Sequence, residues 1–325
     1  MESISCELCG QNNSSTVFNT FDRNWRLPGE FTIVRCNSCG FIFLNPRPDI
    51  KEIAKYYPET FSARKRQFKA EEFSKERKIA NRVMEIKMRP LIDMKKTGRI
   101  LDIGCADGFL LDYMKKQGWE VFGVEPHEPS VKLAKENFGL DIFNGYLEDA
   151  HFDPDYFDAI TMTHVLEHVH NAGPLLKTIN KLLKHDGTAM IEVPNIDSLE
   201  SKIFKERWMA IDAPRHLFHF TPLTLSRILE NNDFRVVKIV HGSDLGKNKL
   251  GYVESLRFVL TDLGLRKPQQ KPLTMGEWSN TESDVKKKNL LNAIHFMENN
   301  FFAGMGLFAN VMKMGSRIVA FAGKK

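Results

Sequence analysis

The stretch Ile100-Leu101-Asp102-Ile103-Gly104-Cys105-Ala106-Asp107-Gly108-Phe109 decides the fold of this 325-residue chain. An apolar run suited to a buried strand, Arg99–Cys105, enters a glycine-rich turn, and the turn opens a helical pattern over 107–117. Glycine lets a backbone approach a ligand without a Cβ in the way. Outward from this stretch, β-rich and helical runs alternate. Trp119–Glu125, Asp141–Tyr146, Phe157–His164 and Gly187–Pro194 read as strands, with helical runs at 129–138 and 172–184 between them. Residues 221–231 read as a helix, Phe234–His241 as a strand, the segment from Val285 to Met314 as helical, and Arg317–Ala322 as a last strand. Such alternation predicts an α/β fold, a parallel sheet covered by helices.

Composition agrees. Hydrophobic residues make up 42% and charged residues 27% of the chain, which excludes a disordered or fibrous polymer. No run of 18 apolar, uncharged residues is present, and the opening residues lack a basic n-region and an apolar h-region, so a cytoplasmic protein is expected. The net charge of +5 is local: residues 61–99 hold 13 Lys/Arg against 5 Asp/Glu. That segment reads as a surface for an anionic partner or as a solvated helical face, with Ile79, Val83, Ile86 and Leu91 near helical spacing pointing inward. The second reading is preferred.

Four of the five cysteines form two pairs, Cys6-x-x-Cys9 and Cys36-x-x-Cys39, each followed by a glycine, Gly10 and Gly40. Two such knuckles complete a four-thiolate shell, and the segment between them is long enough for a β-hairpin. A structural zinc is expected at Cys6, Cys9, Cys36 and Cys39; iron fits the same spacing, and free thiols or a redox pair are the plainer alternative. Residues 1–48 thus read as a zinc-ribbon-like domain closed by Asn45-Pro46-Arg47-Pro48, and 49–97 as a basic helical connector.

Glu125 ends the strand after the glycine turn, where a carboxylate can accept both hydroxyls of a ribose. The turn lacks the Lys-Ser/Thr of a P-loop and is not Gly-x-Gly-x-x-Gly, so neither nucleotide hydrolysis nor dinucleotide binding is expected. With Val124-Glu125-Pro126, Leu147-Glu148-Asp149, Phe157-Asp158-Ala159-Ile160, Thr163-His164-Val165-Leu166-Glu167-His168-Val169 and Ile191-Glu192-Val193-Pro194-Asn195, the chain resembles the class I S-adenosylmethionine-dependent methyltransferases. The resemblance implies a Rossmann-like seven-stranded sheet whose last strand is antiparallel, within a domain over 98–325 carrying a lid at 197–220 and a variable insert at 243–314. It implies a cofactor site in which Asp102, Gly104, Ala106, Asp107 and Gly108 serve the methionine moiety. In that site Glu125 would hold the ribose, Leu147 and Glu148 would flank the adenine, and His164 would line the methionine end. The family usually has glycine where this chain has Ala106. The paired cysteines followed by Cys39-Gly40-Phe41-Ile42-Phe43-Leu44-Asn45-Pro46-Arg47-Pro48 are similar to the zinc-binding head of bacterial methyltransferases of sugar and secondary-metabolite pathways.

Methyl transfer needs alignment and, for many acceptors, removal of a proton. His168 and His216 are the candidate bases, each weighed against a structural role, and His219 is expected to pack. Arg215 would pair with a substrate phosphate or simply with Asp212. The expected acceptor is a small molecule, a nucleotide- or lipid-linked sugar or a related metabolite. One rival is a zinc-headed ribosomal RNA methyltransferase; Phe61, Phe68 and Phe73 are thin aromatic support for it, and nucleic acid is not the expected partner. The other rival is a non-catalytic adaptor. The apolar tail 285–314 reads first as a helix packed on the sheet, and second as a peripheral membrane contact. Oligomeric state is not legible.

Overall fold

A computed structural model describes residues 1–57, 75–242, 249–264, 305, 308, 309 and 311–325. The basic residues of 61–74 and most of the variable insert expected at 243–314, including most of its apolar tail 285–314, lie outside the described residues. In chain order the strands and helices are β1 (Ser14–Phe21), β2 (Glu30–Cys36), β3 (Ile42–Leu44), α1 (Lys75–Met94), β4 (Arg99–Ile103), α2 (Phe109–Lys116), β5 (Glu120–Glu125), α3 (Glu128–Phe138) and β6 (Phe143–Asn144). They continue as β7 (Phe157–Thr163), α4 (Ala172–Leu182), β8 (Leu183–Pro194), α5 (Leu199–Phe204), β9 (Phe218–His219), α6 (Pro222–Glu230), β10 (Phe234–Gly242), α7 (Lys249–Asp262) and β11 (Arg317–Lys324).

Two compact units result. The first joins residues 1–57, 194–222 and 241–318; the second joins 58–193, 223–240 and 319–325. The segment 197–220, expected as a lid on the 98–325 domain, falls in the unit that contains the cysteine pairs. Its two-residue strand β9 pairs antiparallel with β3, Ile42 opposite His219 and Phe43 opposite Phe218, giving a four-stranded sheet of order β1-β2-β3-β9. Phe41, Phe218 and Phe220 are buried, and both other rings stand within 5.6 Å of Phe41. That aromatic burial explains why so short a strand docks. The expected hairpin is β1-β2, antiparallel with a bulge between Thr16 and Phe18.

The second unit is a seven-stranded sheet of order β10-β11-β8-β7-β4-β5-β6, with β4, β5, β6, β7 and β8 parallel and the last strand antiparallel, the α/β methyltransferase fold. Its interior strands are covered on both faces: Ile100–Ile103 and Phe157–Met162 are buried throughout. β4 has β5 on one side and β7 on the other, so the chain order reverses beside it. Crevices at such a reversal, outside the carboxyl ends of the strands, are where open α/β sheets take ligands.

Helix ends follow local chemistry. His127 caps α3 by accepting the Ser130 amide on Nδ1 at 3.2 Å, and Gly139 closes the helix at φ 60°. In α1 the structure bears out Leu91 as an inward position and corrects Ile79 and Ile86. Ile79 and Ile86 are each 38% exposed, whereas Met88 and Leu91 are fully buried. Met84 and Ile92 pack beside Met88 and Leu91 on the core formed by Ile100, Leu111, Met114 and Trp119. Arg77 lies over the rings of Phe109 and Phe138 and pairs with Asp112, so an apolar contact there is replaced by a cation on aromatic faces.

Candidate active site and cysteine centre

In the first unit the four paired cysteines converge. Cys6 and Cys39 sulfurs lie 3.5 Å apart, as do those of Cys9 and Cys36, and all four Sγ atoms sit within 4.8 Å of one another. They are not disulfide-bonded. The two knuckles share one geometry: the Gly10 amide donates to the Cys6 carbonyl at 2.7 Å and the Gly40 amide to the Cys36 carbonyl at 2.9 Å. Both glycines are left-handed, φ 74° and 77°, which is why each pair is followed by glycine. Sulfurs of a tetrahedral zinc shell with bonds of about 2.3 Å stand about 3.8 Å apart, so this donor set fits such an ion.

The same unit settles Arg215. It is fully buried, and its guanidinium donates to Asp22 (3.0 and 2.6 Å), to Asp212 (3.0 and 2.6 Å) and to the Tyr56 carbonyl at 3.0 Å. Burial pushes the Asp212 carboxyl up, but the charge of Arg215 overrides it and holds the group well below the usual range. Arg215 therefore pairs with Asp212, the second of the two expected roles, and with Asp22. Neighbouring His216 is buried, and its Nδ1 stands 2.8 Å from the Ala210 carbonyl. A carbonyl only accepts, so Nδ1 is the donor there, and Nε2 lies 3.9 Å from Asp212 Oδ2. His219 is buried in β9, as packing predicts.

In the second unit the glycine turn sits at the carboxyl end of β4. Gly104, Ala106 and Gly108 all have left-handed φ, 70°, 49° and 74°. A Cβ on Gly104 would stand 2.4 Å from Val165 Cγ2, and one on Gly108 would stand 2.7 Å from Leu140 Cδ1. Ala106 is exposed, and its backbone is one that glycine adopts more easily. Glu125 clasps the turn: Oε2 accepts the Ala106 amide at 2.9 Å and Oε1 accepts the His127 amide at 2.8 Å. Asp102 is buried and accepts the Thr161 hydroxyl at 2.7 Å. Burial pushes its carboxyl up to about 7 against that hydrogen bond and the nearby charge of Lys87. Cys105 is buried against Gly123, and burial pushes its thiol far up, so it packs and does not attack.

Leu147 is buried in a short 3-10 turn after β6, Glu148 beside it is exposed, and Asp107 is half-buried in the turn. Sequence reasoning passed over Tyr146, 62% exposed next to Leu147. It also passed over the partners of His164. At the end of β7, His164 takes a left-handed φ of 55°, its amide donates to the Glu192 carbonyl at 2.9 Å, and its ring nitrogens face Glu167 (3.0 Å) and Glu192 (3.3 Å). Glu192 in turn binds Lys87 at 3.0 Å. His168 is half-buried one turn on, its amide donating to the Val165 carbonyl at 2.9 Å. His168 thus belongs to the second unit and His216 to the first.

Among the described residues of the charged segment, most cations are paired with carboxylates. Arg77, Arg82, Lys87, Arg89, Lys95 and Arg99 pair respectively with Asp112, Glu85, Glu192, Asp93, Asp158 and Glu120. No helix among the described residues is long and apolar enough to cross a membrane.

The ubiquinone biosynthesis O-methyltransferase of Schizosaccharomyces pombe is 30% identical over 132 residues, 38% of this chain and 46% of that protein. The chain thus spans under half the length of that relative. An uncharacterized methyltransferase of Staphylococcus carnosus is 28% identical over 171 residues, 52% of this chain and 70% of its own. The crystal structure of a SAM-dependent methyltransferase from Archaeoglobus fulgidus superposes with a TM-score of 0.46 at 25% identity, covering 75% of this chain and 94% of its own. A family model described as a methyltransferase domain matches residues 71–239, more than half of the sequence, and the chain belongs to that family.

Proposed function

We propose that the protein is an S-adenosylmethionine-dependent methyltransferase acting on a small-molecule acceptor, a nucleotide- or lipid-linked sugar or a related metabolite, with a structural zinc held by Cys6, Cys9, Cys36 and Cys39. The observation that carries the reading is the clasp of Glu125 on the glycine turn at the carboxyl ends of β4 and β5. Each Glu125 oxygen uses one lone pair on a backbone amide and keeps another for a ribose hydroxyl. The left-handed residues Gly104, Ala106 and Gly108 keep the turn tight beneath the methionine moiety, and Leu147 and exposed Glu148 flank the adenine. Bound S-adenosylmethionine supplies an electrophilic methyl group on its sulfonium. His168 and His216 are the proposed proton acceptors. The zinc site, closed by four thiolates, holds the head and takes no part in the transfer.

A small acceptor is favoured over RNA, since carboxylates pair with most of the described cations of the basic segment. The similarity to the ubiquinone biosynthesis O-methyltransferase of Schizosaccharomyces pombe also supports a small acceptor. The test is mass spectrometry of a panel of sugar nucleotides, lipid-linked sugars and phenolic metabolites after incubation with protein and cofactor. A methylated panel member is expected; methyl incorporation into ribosomal RNA alone would overturn the assignment.

A further inference from the structure

His164 has both ring nitrogens engaged by carboxylates, Nδ1 by Glu167 and Nε2 by Glu192. Those carboxylates are themselves buried, Glu167 at 0% and Glu192 at 2% side-chain exposure, whereas the imidazole is 40% exposed. A buried carboxylate is costly unless a cation answers it. Lys87 supplies the second cation: it reaches from α1 to Glu192 Oε2 at 3.0 Å and to the Thr163 hydroxyl at 3.3 Å. The result is a chain of alternating charge, Lys87–Glu192–His164–Glu167, laid across the ends of β7 and β8.

We propose that Lys87 and Glu192 are positioning residues for the cofactor: they fix His164 as a cation at the methionine end of the cradle, and so withdraw it from proton transfer. This rests on the reading of the second unit as an S-adenosylmethionine site. Both ring nitrogens must donate, because an ionised carboxylate only accepts. Burial opposes the charged ring, but Glu167 and Glu192 raise it to about 9. The titratable groups around it are Glu167 after β7, with a His168 ring nitrogen within 4.8 Å of the Glu167 carboxylate, Glu192 from β8 and Lys87 behind Glu192; the charge of Lys87 also reaches Asp102 on β4. His164 is fixed in its backbone as well, by the left-handed φ and the amide bond to the Glu192 carbonyl. The ring therefore presents a fixed, exposed edge rather than a mobile base. Proton acceptance falls to other groups.

The first arm of the test needs no cofactor. Imidazole NMR of the wild-type protein, with the His164 resonance assigned by its loss in His164→Gln, is expected to show no titration of that ring between pH 6 and 8. Glu192→Gln should bring its midpoint down by about one unit or more, a tenfold change in proton affinity. In the second arm, Lys87→Met and Glu192→Gln should raise the KM for S-adenosylmethionine about tenfold, as loss of a charge-assisted contact does, with kcat within a factor of about three. Lys87→Arg should restore most of the loss. A wild-type His164 midpoint near 6.5, an unmoved midpoint in Glu192→Gln, or kcat falling with KM unchanged would each overturn the inference. If the wild-type protein binds no S-adenosylmethionine, the cofactor reading fails instead, and the titration still reports on the charge chain.

Discussion

Glu125 accepts the backbone amide of Ala106 at 2.9 Å, so the end of one parallel strand fastens the turn at the end of its neighbour. With Oε1 on the His127 amide, the same carboxylate fixes the backbone on both sides of the turn. Glu125→Ala should weaken S-adenosylmethionine binding by at least about tenfold, because a charged acceptor of buried hydrogen bonds is worth about 1.5–3 kcal/mol. Equilibrium dialysis checks this; unchanged affinity would show that the carboxylate does not face the ligand.

Ala106 and Gly104 share a left-handed backbone but differ in surroundings. Ala106→Gly should stabilise the protein by about 0.5–1 kcal/mol, since it relieves a strained φ and frees no packed space. Gly104→Ala should destabilise it by about 1–3 kcal/mol through the clash with Val165. Urea unfolding of both variants is the measurement, and a destabilised Ala106→Gly protein would count against the backbone argument.

Much of this was legible in the sequence, and the reason is locality. The turn after β4, the knuckle glycines and the alternation of strands and helices all depend on residues adjacent in the chain. Lys87 and Glu192 were not singled out, because 105 positions separate them and only the fold brings a helix residue to a strand end. β9 was missed for a related reason: two residues carry no period, and their strand exists only because Phe218 and Phe220 pack on Phe41. The periodicity of α1 misled in its own way, since Ile79 and Ile86 obey helical spacing yet Arg77 takes a buried place on aromatic faces.

Arg215 answers two buried carboxylates in the first unit. Arg215→Met should cost about 3–5 kcal/mol by stranding Asp22 and Asp212, and the further change Asp22→Asn should recover part of it. Denaturant midpoints of the single and double variants test this; additive losses would mean that the three groups are not coupled.

Removing metal should unfold the sheet β1-β2-β3-β9, because four converging thiols with no ion repel once ionised. Elemental assay is expected to find about one zinc per chain, and Cys36→Ser to lower the zinc content and the melting temperature together. A metal-free protein that melts like the untreated one would refute a structural ion.

The pH dependence of stability has a definite sign. Asp102, pushed up to about 7 by burial from an ordinary 3.8, keeps its proton in the folded state after the unfolded chain has released it. His164, raised to about 9 by its two glutamates against burial, does the same above 6.5. Folded protein binds more protons in both windows, so each group makes stability fall as pH rises, Asp102 between about 4 and 7 and His164 between about 6.5 and 9. Asp158 acts oppositely. Burial opposes its ionised form, yet Lys95, the Arg99 amide and Lys184 hold it down to about 2, so its contribution is present above 3.8 and is lost as pH falls toward 2. Thermal melts of Asp102→Asn, His164→Gln and Asp158→Asn against pH should each flatten the corresponding limb.

The central claim is that the second unit binds S-adenosylmethionine in the turn clasped by Glu125. Isothermal titration of the protein with S-adenosylmethionine tests it most directly. The account predicts one site per chain with a dissociation constant between about 1 μM and 1 mM, the range usual for enzyme substrates, and a marked weakening in Glu125→Ala. No binding to the folded wild-type protein, or binding indifferent to Glu125, would contradict it.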